Sequence, residues 1–188
     1  MAEKTEDWVH QAVCAAGGKA IVGVMGGGSA AEADLRAAET FGGLVARSGY
    51  ALLTGGGPGI MEAASRGARR AGGPAIGVLP VQEPAAGYPN AFVTHPLFTG
   101  LGAFNPATGD AGRNRINILA SDLIAAFPGA AGTNSEIRLA AENRKPLVLV
   151  GWTLPSLEGA SRVCLRDLDV AEATTPEQAL EWVQGRLN

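Results

Sequence analysis

Three times along this chain a short apolar run breaks into glycine and then into a helix-compatible pattern. The stretches are "IVGVMGGGSA" from Ile21, "ALLTGGGPG" from Ala51 and "LIAAFPGAAGT" from Leu123. Strands that are apolar on both faces and alternate with helices belong to a parallel sheet covered on both sides. The repetition therefore predicts a Rossmann-like, doubly wound, mainly parallel α/β sheet. A chain of 188 residues is long enough to bury a full core in one such unit. We expect a single domain over 1–188, with 1–18 as an N-terminal extension or helix and 174–188 as a C-terminal helix.

Local signals place the elements. A short helix is expected over Asp7 to Ala16, and a buried strand over Ala20 to Met25. Ser29 is positioned to N-cap the next helix, with Glu32 three residues on as its capping-box partner. That helix runs to about Arg47, where Ser48–Gly49–Tyr50 stops it. Ala51 to Thr54 form the second strand, and Pro58 suits the first turn of the helix after it. Arg69 and Arg70 suit the negative end of that helix, and Gly72–Gly73 end it. A third strand, "PAIGVLP", leads into an irregular section from Val81 to Gly112, broken by a short strand around "AFVTH". Its glycine-rich stretch "FTGLGAFNPATGDAG" has the length of a lid or binding loop. A helix "RNRINILAS", a strand "DLIAAF", a helix from Asn134 to Arg144 closed by Pro146, and a strand "LVLVGW" follow. The last helix is expected over Pro176 to Leu187, capped by Thr175.

Composition narrows the partners. The net charge is −3, whereas nucleic-acid binding needs a basic face, so no nucleic-acid partner is expected. Two cysteines, Cys14 and Cys164, fit a reducing compartment and read as passive residues in or near the core. Two isolated histidines, His10 and His95, make no recognisable zinc motif. No apolar run approaches the ~20 residues that span a bilayer, so no membrane role is expected. The acidic N-terminus carries no signal-peptide core, and a cytoplasmic location is expected.

The glycine turns carry the functional signal. In an open parallel sheet, ligands sit outside the C-terminal ends of the strands. Gly26–Ser29, Gly55–Gly59 and Gly129–Thr133 all fall at such ends, and each opens a helix. A helix N-terminus offers free N–H groups and partial positive charge, and glycine lets backbone approach a ligand closely. Together they predict a site for a phosphate-bearing small molecule, contacted by Gly26, Gly27, Gly28, Ser29, Gly55, Gly56, Gly57, Pro128, Gly129, Ala130, Gly132 and Thr133. The plain alternative is that short connections in this fold favour glycine. Gly26-x-Gly28-x-x-Ala31 satisfies a loose dinucleotide fingerprint, but the second strand ends in Thr54–Gly55 with no acid for a ribose hydroxyl. A Walker A sequence and a G-x-S-x-G nucleophile elbow are both absent from the chain.

"LLTGGGPGIMEAASRGA" and "RNRINILASDLIAAFPGAAGTNSEIRLA" resemble the LOG (LONELY GUY) superfamily, whose signature is P-G-G-x-G-T-x-x-E. Here Pro128, Gly129, Gly132, Thr133 and Glu136 match, and Ala130 stands for the second glycine. The resemblance runs from about Ala20 to Val150. For members with LOG activity it implies hydrolysis of the N-glycosidic bond of cytokinin nucleoside 5′-monophosphates. The catalytic pair would then be Arg113 and Glu136. Those enzymes carry lysine where this chain has Asn114. The form "RN-x-IN" followed by "SD" looks more like another branch, the molybdenum-cofactor carrier proteins. That resemblance implies a protein that binds the cofactor as cargo without turnover, with Arg113, Asn114 and Glu136 among its contacts. It also implies a homodimer.

Glu136 admits a second reading. Thr133-x-x-Glu136 has the spacing of a capping box, which would satisfy backbone N–H groups and do no chemistry. In the functional reading the carboxylate faces the site, where it can activate water or stabilise an oxocarbenium-like sugar. Arg115 and Arg138 read as surface charges, Asp110 and Asn117 as lid or solvated loop, and Trp152 as structural. Three functions remain open: a carrier, a phosphoribohydrolase, and a regulatory nucleotide-binding module without turnover.

Overall fold

The computed structural model describes residues 18–153, 165 and 170–187. The helix expected over Asp7 to Ala16, His10 and both cysteines lie outside the described residues. Seven strands form one sheet: β1 (Ile21–Met25), β2 (Ala51–Thr54), β3 (Ala75–Leu79), β4 (His95–Phe98), β5 (Leu123–Ala126), β6 (Leu147–Val150) and β7 (Val170–Ala173). Five helices accompany them among the described residues: α1 (Glu32–Arg47), α2 (Ile60–Arg70), α3 (Asn114–Ala120), α4 (Ala131–Glu142) and α5 (Pro176–Leu187). The strand order is β4-β3-β2-β1-β5-β6-β7, and every neighbouring pair is parallel. This is the Rossmann-like sheet that the glycine-turn repeat predicts.

Alternation along the central strands divides the core into two layers. Val22, Val24, Leu52, Leu123 and Ala125 pack with Phe41, Val45, Ile60, Ala64 and Val183 under α1, α2 and α5. Ile21, Met25, Leu53, Ile76, Ile124 and Leu147 pack with Ile118, Ile137 and Ala140 under α3 and α4. Each fully buried large side chain contributes about 1.5–3 kcal/mol. Helices α1 and α2 approach closely because Gly42 and Gly67 lack side chains. A Cβ on Gly42 would stand 2.9 Å from the Ala64 carbonyl carbon, and one on Gly67 2.8 Å from that of Glu39.

Helix ends follow local chemistry where the chain is free, and tertiary bonds where it is not. Helix α2 ends as expected: Gly72 takes φ 80°, and the amides of Gly72 and Gly73 donate to the carbonyls of Arg69 and Ala68, closing a Schellman motif. Helix α5 has its expected bounds, and Gln178 N donates to Thr175 Oγ1 at 3.3 Å. Ser29, however, is not a cap. Helix α1 starts at Glu32 behind an extended Ala31. The turn before it is committed elsewhere: Gly27 N donates to Pro128 O, and Gly27 O accepts from Ile60 N, each at 3.0 Å. Pro58 also lies outside its helix, because Gly59 (φ 69°, ψ −129°) holds the N-cap position.

The strand expected around "AFVTH" begins later, at His95. Thr94 first ties to β3 through its side chain, with Ala75 N donating to Thr94 Oγ1 at 2.9 Å. Strand β4 then pairs Gly77 with Pro96, and the proline is tolerated because the strand is an edge. Strand β7 went unanticipated. It is four residues long, on the other edge and mostly half exposed, so its pattern carries no hydrophobic signature. No helix among the described residues is long and apolar enough to cross a membrane.

Candidate functional site

The strand order reverses between β1 and β5, the switch point at which open α/β sheets hold ligands. A cleft of about 400 Å³ opens there, within the range of small-molecule sites. Its walls include the turn Gly26–Gly28, Arg113 and Asn114 before and at the start of α3, and Ala130, Ala131, Gly132, Thr133 and Glu136 around the start of α4. Pro58, Met61, Tyr88, Ala103, Phe104 and Pro106 complete it.

The start of α4 decides the Glu136 question. The helix begins at Ala131, three residues before the expected Asn134, with Ala130 at the N-cap and no side-chain cap bond. Thr133 is therefore the third helical residue, and Glu136 lies a turn deeper than a capping box requires. The capping reading fails for both. The Glu136 carboxylate is instead held across the gap to α3. Asn117 Nδ2 donates to Oε1 at 3.0 Å, and Arg113 Nη1 stands 3.4 Å from the same oxygen.

Arg113 and Glu136 are only 5% and 6% exposed. Burial pushes the Glu136 carboxyl above the ordinary carboxylate range, opposed by the Arg113 charge and the bonds from Asn117 and Arg113. Asn114 Oδ1 accepts from Arg113 Nη1 at 2.7 Å, and Asn114 Nδ2 donates to Gly132 O at 3.3 Å. The segment "RNRIN" thus brings Arg113, Asn114 and Asn117 to one place. Asn117, expected in a lid or loop, is fully buried in the site. Two buried atoms of this group have no hydrogen-bond partner in the protein: Arg113 Nε and Asn117 Oδ1. An unmet buried donor on a guanidinium is costly, and Arg113 is one of the residues that line the cleft.

The glycine turns divide. Gly26, Gly27, Gly28 and Gly132 line the cleft. A Cβ on Gly132 would meet nothing within 4 Å, and one on Gly28 only Pro58 Cγ at 3.9 Å. Exposed Ser29 is not among the lining residues. Neither are Gly55, Gly56 and Gly57, which are buried behind the wall. Gly55 lies against the Arg113 guanidinium, Gly56 (φ 69°) against Leu79, and Gly57 against Met61 and Tyr88. Pro128 and Gly129 form a second layer: Pro128 O accepts from Gly27 N, and Gly129 faces the Thr133 side chain.

Asp110 stays in an exposed loop, where its carbonyl accepts from Asn105 N at 2.9 Å. Arg115 is exposed, and Arg138 stands 3.7 Å from Glu142 one turn along α4. Trp152 donates from Nε1 to Ala126 O at 2.8 Å, a structural tie. Sequence reasoning passed over Met61, Tyr88 and Phe104. Tyr88 and Phe104 are the aromatics of two glycine- and proline-rich segments in a chain with two tyrosines and five phenylalanines, and Met61 carries no such pointer.

Chemically, the cleft sets an uncapped helix N-terminus beside a buried guanidinium and a carboxyl that holds its proton to higher pH. The first two receive anions, and the third can give or take a proton. Among the described residues, no group of three histidine, cysteine, aspartate or glutamate side chains is placed to hold a metal ion.

The SLOG cluster4 family matches residues 19–180. A molybdenum cofactor binding protein from the phototrophic bacterium Rippkaea orientalis has a similar structure, at 37% identity and a TM-score of 0.77 over 90% of this chain and 98% of that one. The molybdenum cofactor carrier protein of Chlamydomonas reinhardtii is similar at 34% identity and a TM-score of 0.71, over 89% and 98% of the two chains. DNA processing protein A of Helicobacter pylori, described with a single-stranded DNA binding mode, shares the fold alone, at 17% identity and a TM-score of 0.65 over 89% of this chain and 81% of that one.

Proposed function

The chain belongs to the SLOG cluster4 family, and on that premise we propose that it is a carrier that binds a phosphate-bearing small molecule, with the molybdenum cofactor as cargo. The observation that carries this reading is the uncapped start of α4, which opens on the cleft that buried Arg113 also lines. A phosphate monoester suits that corner: amides of the first turn supply donors and dipole, and Arg113 supplies charge. Gly26, Gly27, Gly28, Asn114, Ala130, Gly132 and Thr133 border it, and Glu136 lies beneath. Met61, Tyr88 and Phe104 offer the rest of the ligand an apolar wall. The cargo brings its own molybdenum, so the residues here have only to bind, orient and exclude water.

The test is equilibrium binding of the isolated cofactor, followed by its delivery to a cofactor-free molybdoenzyme. Wild type should bind and deliver it, and Gly132→Leu, which fills the open corner, should do neither. Equal binding by Gly132→Leu would put the site elsewhere. The proposal includes a homodimer, as the family resemblance implies, and a cytoplasmic location. A monomer mass by light scattering at micromolar concentration would contradict the dimer.

One observation favours a second reading, a phosphoribohydrolase acting on nucleoside 5′-monophosphates. Glu136 keeps its proton to higher pH while Arg113 stands 3.4 Å from it, a pairing suited to a general acid at a glycosidic bond. Incubation with AMP and cytokinin monophosphates separates the two. Release of free base, lost in Glu136→Gln and Arg113→Ala, would make the protein an enzyme. In the carrier reading no base is released, and Glu136→Gln alters affinity alone.

A further inference from the structure

Gly55 does not line the cleft, yet its position admits no side chain. A Cβ built there would stand 2.5 Å from Arg113 Cζ and 2.6 Å from Nη1. The guanidinium therefore rests directly on the Gly55 backbone at the C-terminal end of β2. The turn beneath it is tied down on both sides. Gly56 N donates to buried Thr54 Oγ1 at 3.0 Å. Buried Asn90 donates from its backbone to Gly56 O at 2.8 Å and from Nδ2 to Gly57 O at 2.9 Å. Gly57 leaves space in the same way for the apolar wall: a Cβ there would lie 3.0 Å from Met61 Cε and from Tyr88 Cε1. Met61 Sδ in turn stands 4.0 Å from Arg113 Nη2.

We propose that Gly55 is a positioning residue of the anion site, the bare platform on which the Arg113 guanidinium is set at the cleft. The inference rests on reading the cleft as a phosphate site. It assigns to the second glycine turn a task different from the ligand contact that its sequence suggests. Gly55 does not take a left-handed φ, so alanine is compatible with its backbone. The three nearest atoms to an added Cβ all belong to the end of one flexible side chain, that of Arg113. Gly55→Ala should therefore leave the fold in place and move the cation.

The experiment compares wild type with Gly55→Ala, Arg113→Ala, the double variant, and Gly55→Ala combined with Arg113→Lys. Each is checked for folding by circular dichroism and titrated calorimetrically with AMP and with inorganic phosphate. Gly55→Ala should weaken AMP binding about tenfold or more, as expected from the loss of a charged hydrogen bond. The double variant should bind no worse than Arg113→Ala, because both changes remove the same interaction. Lysine should recover part of the loss, since its ammonium lacks the planar fork that collides with Cβ. Wild-type affinity in Gly55→Ala, or losses that add in the double variant, would overturn the platform.

A second readout needs no ligand. Arg113 opposes the effect of burial on Glu136. Displacing it should shift the pH profile of unfolding to higher pH in Gly55→Ala, as in Arg113→Ala. If neither probe binds wild type, the phosphate reading fails and this profile alone decides the platform. A Gly55→Ala profile identical to wild type overturns it.

Discussion

The turns after β2 and β5 look alike in the sequence, yet one is filled by the protein and the other is left open. Around Gly55–Gly59 the space a side chain would occupy is already taken by Arg113, Leu79, Met61, Tyr88 and the Gly27–Gly28 backbone. At the start of α4, Gly132 faces 4 Å of emptiness on the cleft. Glycine records that a Cβ is unwelcome, not who excludes it. The first turn has no space for side chains at these positions, whereas the second leaves Gly132 open on the cleft.

The largest expected effect is on the filled side. Gly59 combines a φ of 69° with an added Cβ only 2.6 Å from the Gly28 carbonyl carbon. Gly59→Ala should cost about 3 kcal/mol or more, from backbone strain plus overpacking. Denaturant unfolding measures it, and wild-type stability would break the comparison. On the open side, Gly132→Leu should leave unfolding near wild type while weakening phosphate-ligand binding about tenfold or more. A loss of stability as large as that of Gly59→Ala would show the corner to be packed after all.

The pH dependence sharpens the same contrast. Unfolded, Glu136 ionises in the ordinary carboxylate range; folded, burial makes it hold its proton to higher pH. Between those two points the native state carries the extra proton, so stability falls as pH rises through that window. Glu136→Gln should remove this component. An anion bound at α4 adds negative charge nearby and raises the proton affinity further, so ligand affinity should also fall as pH rises. Calorimetry in buffers of different ionisation enthalpy would detect the proton uptake, and none in wild type would contradict this account. The smallest effect is Gly132→Ala, which should raise stability by about 0.5–1 kcal/mol, because glycine in a helix is entropically costly and the space is free. A decrease in the midpoint of unfolding would count against an open corner.

Much of the fold was legible because its cues are local. The βα repeat, the stop at Gly72–Gly73 and the cap at Thr175 each depend on a few neighbouring residues. The misplaced helix starts share one cause. Ser29, Pro58 and Thr133 have the right chemistry for helix starts, but at these turns bonds between distant segments choose where the helix begins. Gly27 N to Pro128 O and Ile60 N to Gly27 O are such bonds. In the site, Arg113 and Glu136 were legible through motif resemblance. Asn117 was not, because a lone asparagine on a short helix carries no signal until the Glu136 carboxylate stands 3.0 Å away.

The sequence by itself determined the parallel α/β architecture and the three glycine turns at strand ends, while the pairing of an arginine with a motif glutamate came from the family resemblance. Periodicity and turn chemistry act over a few residues, and a chain displays them without folding. Tertiary structure alone decided that Glu136 is buried against Asn117 and Arg113 and is not a cap, and that Gly55 packs against a guanidinium. It also decided that Gly132 faces open space. Those outcomes depend on which residues fill the volume around a Cβ or a carboxylate, and that volume exists only once β1, β2 and β5 lie side by side.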